Sequence, residues 1–506
     1  MSLRTYLGAL FLLAALGAGA VAFWNLRQRS ALRSSPQAIE AFCTSCHLYP
    51  PPDTLPRDRW RSEIETMYAI AGESAPERRS PAPDIEAAVR YYTERAPSIL
   101  PPSPSTVAMG PGKLRTERIS IKLEGAPPFA GTANVRFVTL FDDTRLDLLI
   151  SEMRFGMVIA IRPYIDVSTT VLLGRVPHPC HAEVVDLDRD GARDVLVANL
   201  GTITPSDALD GSVVWLRREG GGAFSTHTII GGRGRVADAQ AADFDGDGDM
   251  DIVAAVFGWR KVGEILFLEN RSPARGVPDF VPSVIDARPG AIHVPIADLN
   301  GDGRPDFVAL ISQHFESVVA YLNRGGGSFD PKTIFTAPHP NWGSSGIDLV
   351  DLDTDGDLDV LLANGDTLDD LILKPYHGLS WLENTGGYPW TSRRLTEYHG
   401  AHLGRAGDFD LDGDLDIVAG SFLPFLKPGQ PGTDLAEGMI WLEQVERGRF
   451  ERRSLEPVTC VHPTLDVGDY DADGDPDIVA GNMTMAKGEQ DRMEVWAVIL
   501  RNLVRP

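Results

Sequence analysis

The stretch Asp243-Phe244-Asp245-Gly246-Asp247-Gly248-Asp249-Met250-Asp251 places carboxylates at positions one, three, five and nine of a short loop, just ahead of the apolar run Ile252-Val253-Ala254-Ala255-Val256. Oxygen ligands at that spacing converge on one point and form a cage for a hard cation such as Ca²⁺. The glycines permit the tight bend. The device recurs at Asp186, Asp188, Asp190 and Asp194, at Asp298, Asn300, Asp302 and Asp306, and at Asp351, Asp353, Asp355 and Asp359. It recurs again at Asp408, Asp410, Asp412 and Asp416, and at Asp469, Asp471, Asp473 and Asp477. With Asp243, Asp245, Asp247 and Asp251 these make six expected Ca²⁺ sites. The loop containing Asn300 has one acid fewer, so it is expected to be the weakest.

A different chemistry stands near the N-terminus. Cys43-Thr44-Ser45-Cys46-His47 has two thiols and an imidazole at the spacing of c-type haem attachment, in which both sulfurs form thioethers and His47 takes an axial iron position. The bare Cys-x-x-Cys pair could also be a redox dithiol or half of a zinc site; the adjacent histidine favours one covalent haem c.

These groups must be held by elements. The six acidic loops begin 53 to 61 residues apart, a period that marks a repeat architecture. Their flanks are β-branched or alternating runs such as Val195-Leu196-Val197 and Asp477-Ile478-Val479-Ala480, and no Glu stands at position twelve, so the loops join strands and are not EF-hands. Each repeat continues through a third strand such as Val213-Val214-Trp215-Leu216 or Leu379-Ser380-Trp381-Leu382, a glycine turn, and a fourth strand such as Thr226-His227-Thr228-Ile229-Ile230. On these loops and strands the chain resembles the FG-GAP/VCBS repeat family and is similar to the propellers of integrin α chains. The resemblance implies four-stranded blades, each with a calcium loop between its first and second strands.

Residues 132–173 carry four further strand-like runs around Asp142-Asp143-Thr144-Arg145-Leu146-Asp147, read as a shortened loop without a cage. That makes seven blades, with no calcium expected in the first. The seventh repeat ends on what is by pattern a third strand, Val495-Trp496-Ala497-Val498-Ile499. Its fourth is available at Arg118-Ile119-Ser120-Ile121-Lys122, a closure that hides sheet edges. The expected class is mainly β: a seven-bladed β-propeller over 116–506, preceded by a small all-α cytochrome c domain and an N-terminal transmembrane or signal helix.

The apolar stretch Tyr6 to Trp24, flanked by Arg4 and by Arg27 and Arg29, is just long enough to span a bilayer, and a cleaved signal with Ala20-Val21-Ala22 at its end is the competing reading. Residues 1–30 are therefore a signal anchor or signal peptide, and either form exports the rest of the chain to the periplasm or the extracytoplasmic side. Over 35–96, Trp60, Ile64 and Met67 share one helical face, and Asp84-Ile85, Val89 and Tyr91-Tyr92 form a second amphipathic segment. This resembles a minimal class of cytochrome c, which implies Met67 as sixth iron ligand; a packed core methionine is the alternative. Residues 97–115, rich in proline and ending Gly110-Pro111-Gly112, read as a semi-rigid linker. Cys180 and Cys460 could pair or remain two apolar thiols.

The net charge of −24 excludes a nucleic-acid partner, because no basic stripe offsets it, and six bound Ca²⁺ ions would halve it. Histidines recur just ahead of the acidic loops at His178, His181, His293, His339, His399, His402 and His462, and long insertions at 200–211, 365–378 and 420–438 rise at the same level. No Ser-His-Asp, paired-acid or nucleotide motif stands out, so no catalytic residue is assigned. The reading is an exported, membrane-anchored mono-haem electron-transfer protein whose calcium-stabilised propeller binds a redox partner protein or a small-molecule substrate on its histidine-rich face. Two alternatives stay open: a protein- or glycan-binding adhesion module with haem as an accessory, and a haem-linked dehydrogenase with its active site in the propeller funnel.

Overall fold

A computed structural model describes residues 34–45, 47–73, 82–101, 110, 112–273, 275–368, 370–425, 436–457, 459–485 and 492–505. The chain divides into two compact units, one formed by residues up to Pro101 with His339–Asn341, the other by the remainder. Among the described residues no helix is long and apolar enough to cross a membrane; the apolar stretch Tyr6 to Trp24 lies outside them, as does Cys46.

The first unit contains α1 (Pro36–Cys43), α2 (Trp60–Glu73) and α3 (Ile85–Arg95). Ser35 caps α1 by accepting from the Ala38 N–H at 3.2 Å, with Pro36 pre-set for the first turn. Asp84 caps α3 through the Ala87 N–H at 3.0 Å. Both apolar faces meet at Trp60, whose ring stacks on Tyr92 at 4.2 Å and whose Nε1 donates to the Pro52 carbonyl at 2.9 Å. Ile39, Ile64 and Ala88 close this core.

The second unit is seven antiparallel sheets. The first blade is β2 (Thr132–Val138), β3 (Asp147–Glu152), β4 (Met157–Ile161) and β5 (Thr170–Arg175); the second is β6 (Pro179–Val185), β7 (Asp194–Asn199), β8 (Gly211–Arg218) and β9 (Phe224–Arg233). The third is β10 (Val236–Ala242), β11 (Asp251–Val256), β12 (Glu264–Asn270) and β13 (Phe280–Asp286). In the fourth the inner strand is broken into β14 (Ala291–His293) and β15 (Ile296–Ala297), both paired with β16 (Asp306–Ile311), followed by β17 (Ser317–Gly325) and β18 (Ser328–Thr336). The fifth is β19 (Ser344–Val350), β20 (Asp359–Asn364), β21 (Gly378–Glu383) and β22 (Thr391–Glu397); the sixth is β23 (Ala401–Gly407), β24 (Asp416–Ser421), β25 (Glu437–Glu446) and β26 (Arg449–Pro457).

The seventh blade is β27 (Thr464–Gly468), β28 (Asp477–Gly481) and β29 (Val495–Asn502), with β1 (Thr116–Lys122) as its outer strand. β1 runs antiparallel to β29 with Ile119 opposite Ile499, so the strand from just after the linker closes the last blade as its sequence predicts. The protein is a seven-bladed β-propeller.

Each second strand is buried along its whole length, as in Asp194–Asn199 and Asp359–Asn364, because both of its faces are covered by neighbouring blades. That is why these strands read as continuous apolar runs and do not alternate. The core lies between blades. Leu149, Val158 and Ala160 of the first pack against Val195, Val197 and Val214 of the second, and Val479, Trp496 and Ile499 of the seventh pack against Val135 and Ile150 of the first.

Side chains of the innermost strands stitch one blade to the next. Asp466 on β27 accepts from the Phe137 N–H at 2.9 Å, Glu183 on β6 from Ala241 N–H at 3.2 Å, and Asp238 on β10 from Val294 N–H at 2.8 Å. These bonds satisfy inner-strand amides that would otherwise face the central channel.

Candidate functional site: acidic loops on one face, histidines on the other

Every acidic loop connects the first to the second strand of its blade, so all six share one end of the propeller, and the fourth-to-first and second-to-third connections lie at the other. Locally each loop is wound by its own first aspartate. Asp186 accepts from the Asp190 and Gly191 N–H groups at 3.0 Å each, and Asp351 from Asp355 at 3.0 Å and Gly356 at 2.9 Å. Asp469 repeats this with Asp473 at 3.1 Å and Gly474 at 2.9 Å. The sixth position needs glycine because its φ is positive, +90° at Gly191 and +98° at Gly356. The fourth position is also left-handed, and in four loops it is occupied by Arg189, Thr354, Leu411 and Ala472 at φ 54° to 61°. Such strain persists where the surroundings over-determine it and clusters at functional sites.

Three carboxylates converge to within 4.8 Å of one another in five of the loops: Asp186, Asp188 and Asp194; Asp243, Asp245 and Asp251; Asp351, Asp353 and Asp355; Asp408, Asp410 and Asp412; and Asp469, Asp471 and Asp477. The loop of Asp298, Asn300, Asp302 and Asp306 is not among them. In four loops the third-position aspartate keeps one buried oxygen without a partner among the described residues: Oδ1 of Asp188, Asp353, Asp410 and Asp471. A buried, unpaired carboxylate oxygen is costly, and the same atom is left unpaired in each of these loops, so the donor set fits a hard cation. These clusters could bind calcium.

The ninth aspartate does more than the motif states. Asp194 Oδ2 accepts from Leu187 N–H at 3.3 Å and its Oδ1 from Arg218 N–H at 2.7 Å, tying the loop to the end of the third strand. The pair is repeated by Asp251 with Phe244 and Asn270, by Asp416 with Phe409 and Gln444, and by Asp477 with Tyr470 and Asn502. Burial pushes the carboxyls of Asp194, Asp251 and Asp359 up to about 6, Asp416 to about 7 and Asp477 to about 8.

The first blade corrects the sequence reading of its loop. From Val138 to Asp147 it has the same span as from Val185 to Asp194 in the second blade, so it is not shortened. Thr139 and Phe141 simply stand where the other loops have their first and third aspartates. Asp147 keeps the loop half of the ninth-position bonds, accepting from Leu140 N–H at 3.1 Å and Phe141 N–H at 2.7 Å, and takes the Tyr164 Oη–H at 2.9 Å where the other blades offer a third-strand amide.

At the opposite end the recurrent histidines separate into two groups. His462 is fully buried within its blade, with Nδ1 at 3.3 Å from the Gly481 carbonyl and Nε2 at 3.5 Å from Glu456, and His377 is equally buried. His178 and His399 stand in the fourth-to-first connections that lead into β6 and β23, and His339 in the segment before β19. His181, His293 and His402 instead stand on the innermost strands β6, β14 and β23. His181 Nδ1 is 2.8 Å from Asp238 Oδ1, and His293 Nδ1 is 4.0 Å from Asp238 Oδ2. Burial lowers His293 and His402 to about 4, while the neighbouring His181 and His293 hold Asp238 down at about 2 against its own burial. The result is an ionised carboxylate among imidazoles.

Deeper along the same inner strands, Arg405 bridges Asp348 at 2.8 Å and Asp466 at 3.5 Å. Burial pushes Glu183 up to about 7. Sequence reasoning found the histidines and missed Asp238, Arg405 and Glu183; their signal was the polar residue repeated in the first strand of successive blades.

In the first unit, Cys43 is buried at the end of α1, with Tyr92 Oη–H donating to its Sγ at 3.4 Å. His47 Nδ1 lies 2.6 Å from the Leu48 carbonyl, the kind of backbone contact that orients a ligating imidazole, and burial lowers its pKa toward the neutral form that binds metals. Met67 is half-buried on α2. Cys180 and Cys460 are both free thiols; Cys180 Sγ–H points to the Val236 carbonyl at 3.1 Å.

Residues 182–254 and 298–362 match the family model of the FG-GAP-like repeat, so these stretches, each containing two successive acidic loops and the strands between them, are similar to that repeat. Comparison with curated proteins gives no match.

Proposed function

We propose that this chain is an exported, calcium-stabilised binding propeller that captures a protein or glycan ligand on its histidine face. The observation that carries this reading is the division of labour between the two ends. The acidic loops stiffen one end, and a carboxylate-histidine cluster of Asp238, His181 and His293 lies on the inner strands at the other. Long loops on one face of a rigid scaffold are where binding chemistry concentrates. The test uses the full chain in calcium on protein and glycan arrays. His181→Ala combined with His293→Ala should weaken the captured ligand at least about tenfold, the loss of a hydrogen-bonded polar anchor; because the pair also leaves the buried Asp238 without its imidazoles, the melting temperature should fall too, and binding is compared well below it. Binding indifferent to both residues would place recognition elsewhere.

A second reading, favoured by the Cys43-Thr44-Ser45-Cys46-His47 spacing and by the backbone contact at Nδ1 of His47, is that the first unit carries one covalent haem c and exchanges electrons with a partner protein or a substrate. Cys43 and Cys46 would hold the porphyrin, His47 would ligate iron, and Met67 is the proposed sixth ligand. The haem supplies one-electron chemistry. The purified chain should give a c-type pyridine haemochrome that survives acid-acetone extraction, and Cys46→Ala should abolish it; haem that extracts freely would contradict the assignment. Residues 1–30 would anchor the chain at the extracytoplasmic side of a membrane or be cleaved after export.

A further inference from the structure

In four loops a cation reaches the third-position aspartate. Arg217 Nε lies 2.7 Å from Asp188 Oδ2, Lys113 Nζ 3.2 Å from Asp410 Oδ2, Arg447 3.2 Å from Asp353 Oδ2, and Arg501 Nε 2.6 Å from Asp471 Oδ2. The four cations come from different places in the chain. Arg217 and Arg501 stand on the third strands of their own blades, β8 and β29. Arg447 stands in the turn between β25 and β26 of the following blade, and Lys113 in the segment before β1. All four contact Oδ2, and in all four the companion Oδ1 is the buried oxygen left without a partner. Arg217 also reaches Asp190 Oδ2 at 2.8 Å and Arg501 lies 3.8 Å from Asp473 Oδ2, so the contact common to all four cations is the one at the third position.

We propose that Arg217, Lys113, Arg447 and Arg501 are positioning residues for calcium: each holds Oδ2 of the third-position aspartate so that Oδ1 points into the cage. This rests on the calcium reading of the loops. Holding the outer oxygen fixes the carboxylate rotamer before metal arrives, and partners that orient a ligand are worth about 10- to 100-fold in metal affinity. The opposing effect, repulsion between the cation and Ca²⁺, is small for Lys113 and Arg447, which are 69% and 66% exposed and therefore screened by water. Among the described residues the third blade has no ion pair at Asp245, and Asp247, Asp243 and Glu269 beside it are all acidic. In the fourth blade the third position is the neutral Asn300. The loops therefore divide into a preorganised class in blades two, five, six and seven and a weaker class in blades three and four.

The test is a calcium-binding isotherm of the full chain, stripped of metal and titrated with Ca²⁺ alone, beside melting curves with and without calcium. Arg447→Met removes the charge and keeps the bulk at an exposed position where folding is not at stake. It should move one ion from the tight class to the weak class, about tenfold in affinity, while the melting temperature of the metal-free chain stays the same. Arg447→Lys, which can still reach Oδ2, should restore most of the affinity, and Arg217→Met should reproduce the loss at the second blade. An isotherm of Arg447→Met that is unchanged or tighter, or an equal fall in melting temperature with and without calcium, overturns the positioning role. A wild-type chain that takes up no calcium overturns the reading of the loops themselves.

Discussion

Stripping calcium from the chain lowers the melting temperature of the propeller by roughly 10 °C or more. Each occupied site adds about 2.7 kcal/mol when free calcium is 100 times its dissociation constant. Several sites acting on one cooperative ring sum to a shift of that order, even with the shallow response of a large domain. The pH dependence should differ between the two forms as well. In the metal-free chain, burial raises the ninth-position carboxyls to between about 6 and about 8, and Glu152 and Glu316 are raised to about 7 and about 8 for the same reason. A carboxyl whose folded pKa lies above its unfolded value favours the folded state while protonated, and that contribution is lost as pH rises through the folded value. Metal-stripped protein should therefore melt progressively lower from about pH 5 to about pH 8, and calcium-loaded protein should fall less over that range, because calcium removes the ninth-position contribution and leaves that of Glu152 and Glu316, which lie outside the acidic loops. Scanning calorimetry across that range, with and without added Ca²⁺, reads both effects.

Asp147→Ala should destabilise the propeller by about 4 kcal/mol whether or not calcium is present. The side chain is fully buried and accepts three hydrogen bonds, and removing it leaves the Leu140 and Phe141 amides and the Tyr164 hydroxyl without their acceptor. Asp243→Ala should behave in the opposite way. Asp243 is half-buried and accepts only a local bond from Gly246 N–H at 2.8 Å, so its loss costs little in chelator and about 3 kcal/mol in saturating calcium. Urea titrations of both variants, each with and without Ca²⁺, separate the lock at position nine from the ligand at position one. Equal calcium dependence in the two variants would show that the first blade binds metal as well.

The ring closure was legible because the arithmetic of strands is local: the seventh repeat visibly ends one strand short, and Thr116–Lys122 is an apolar-alternating segment with nothing else to pair with. The six acidic loops were legible for the same reason, since each is complete within nine residues. The first-blade loop was misread because, once Thr139 and Phe141 replace the marker aspartates, only the strand ends fix the register, and those emerge from pairing with β3. The double role of the ninth aspartate was hidden behind its role as a ligand. Its second partner lies a whole strand away, as Arg218 does from Asp194. The cations at Asp188, Asp353, Asp410 and Asp471 were invisible in sequence, because two of the four arrive from outside the blade they serve. The histidines signalled a face but not their individual burial: His181 and His462 look alike in sequence, yet one faces Asp238 on the inner strands and the other is packed inside its blade.

The most direct measurement is native mass spectrometry of the purified chain, first stripped of metal and then equilibrated with calcium. Four ions should be taken up first, in blades two, five, six and seven, with a fifth in the Asp243 loop and a sixth in the Asn300 loop entering only at higher calcium. Successive loss of one ion should follow in Asp243→Ala and in Asp408→Ala. A chain that remains metal-free at saturating calcium and melts at the same temperature in chelator would show that the acidic loops are solvated turns.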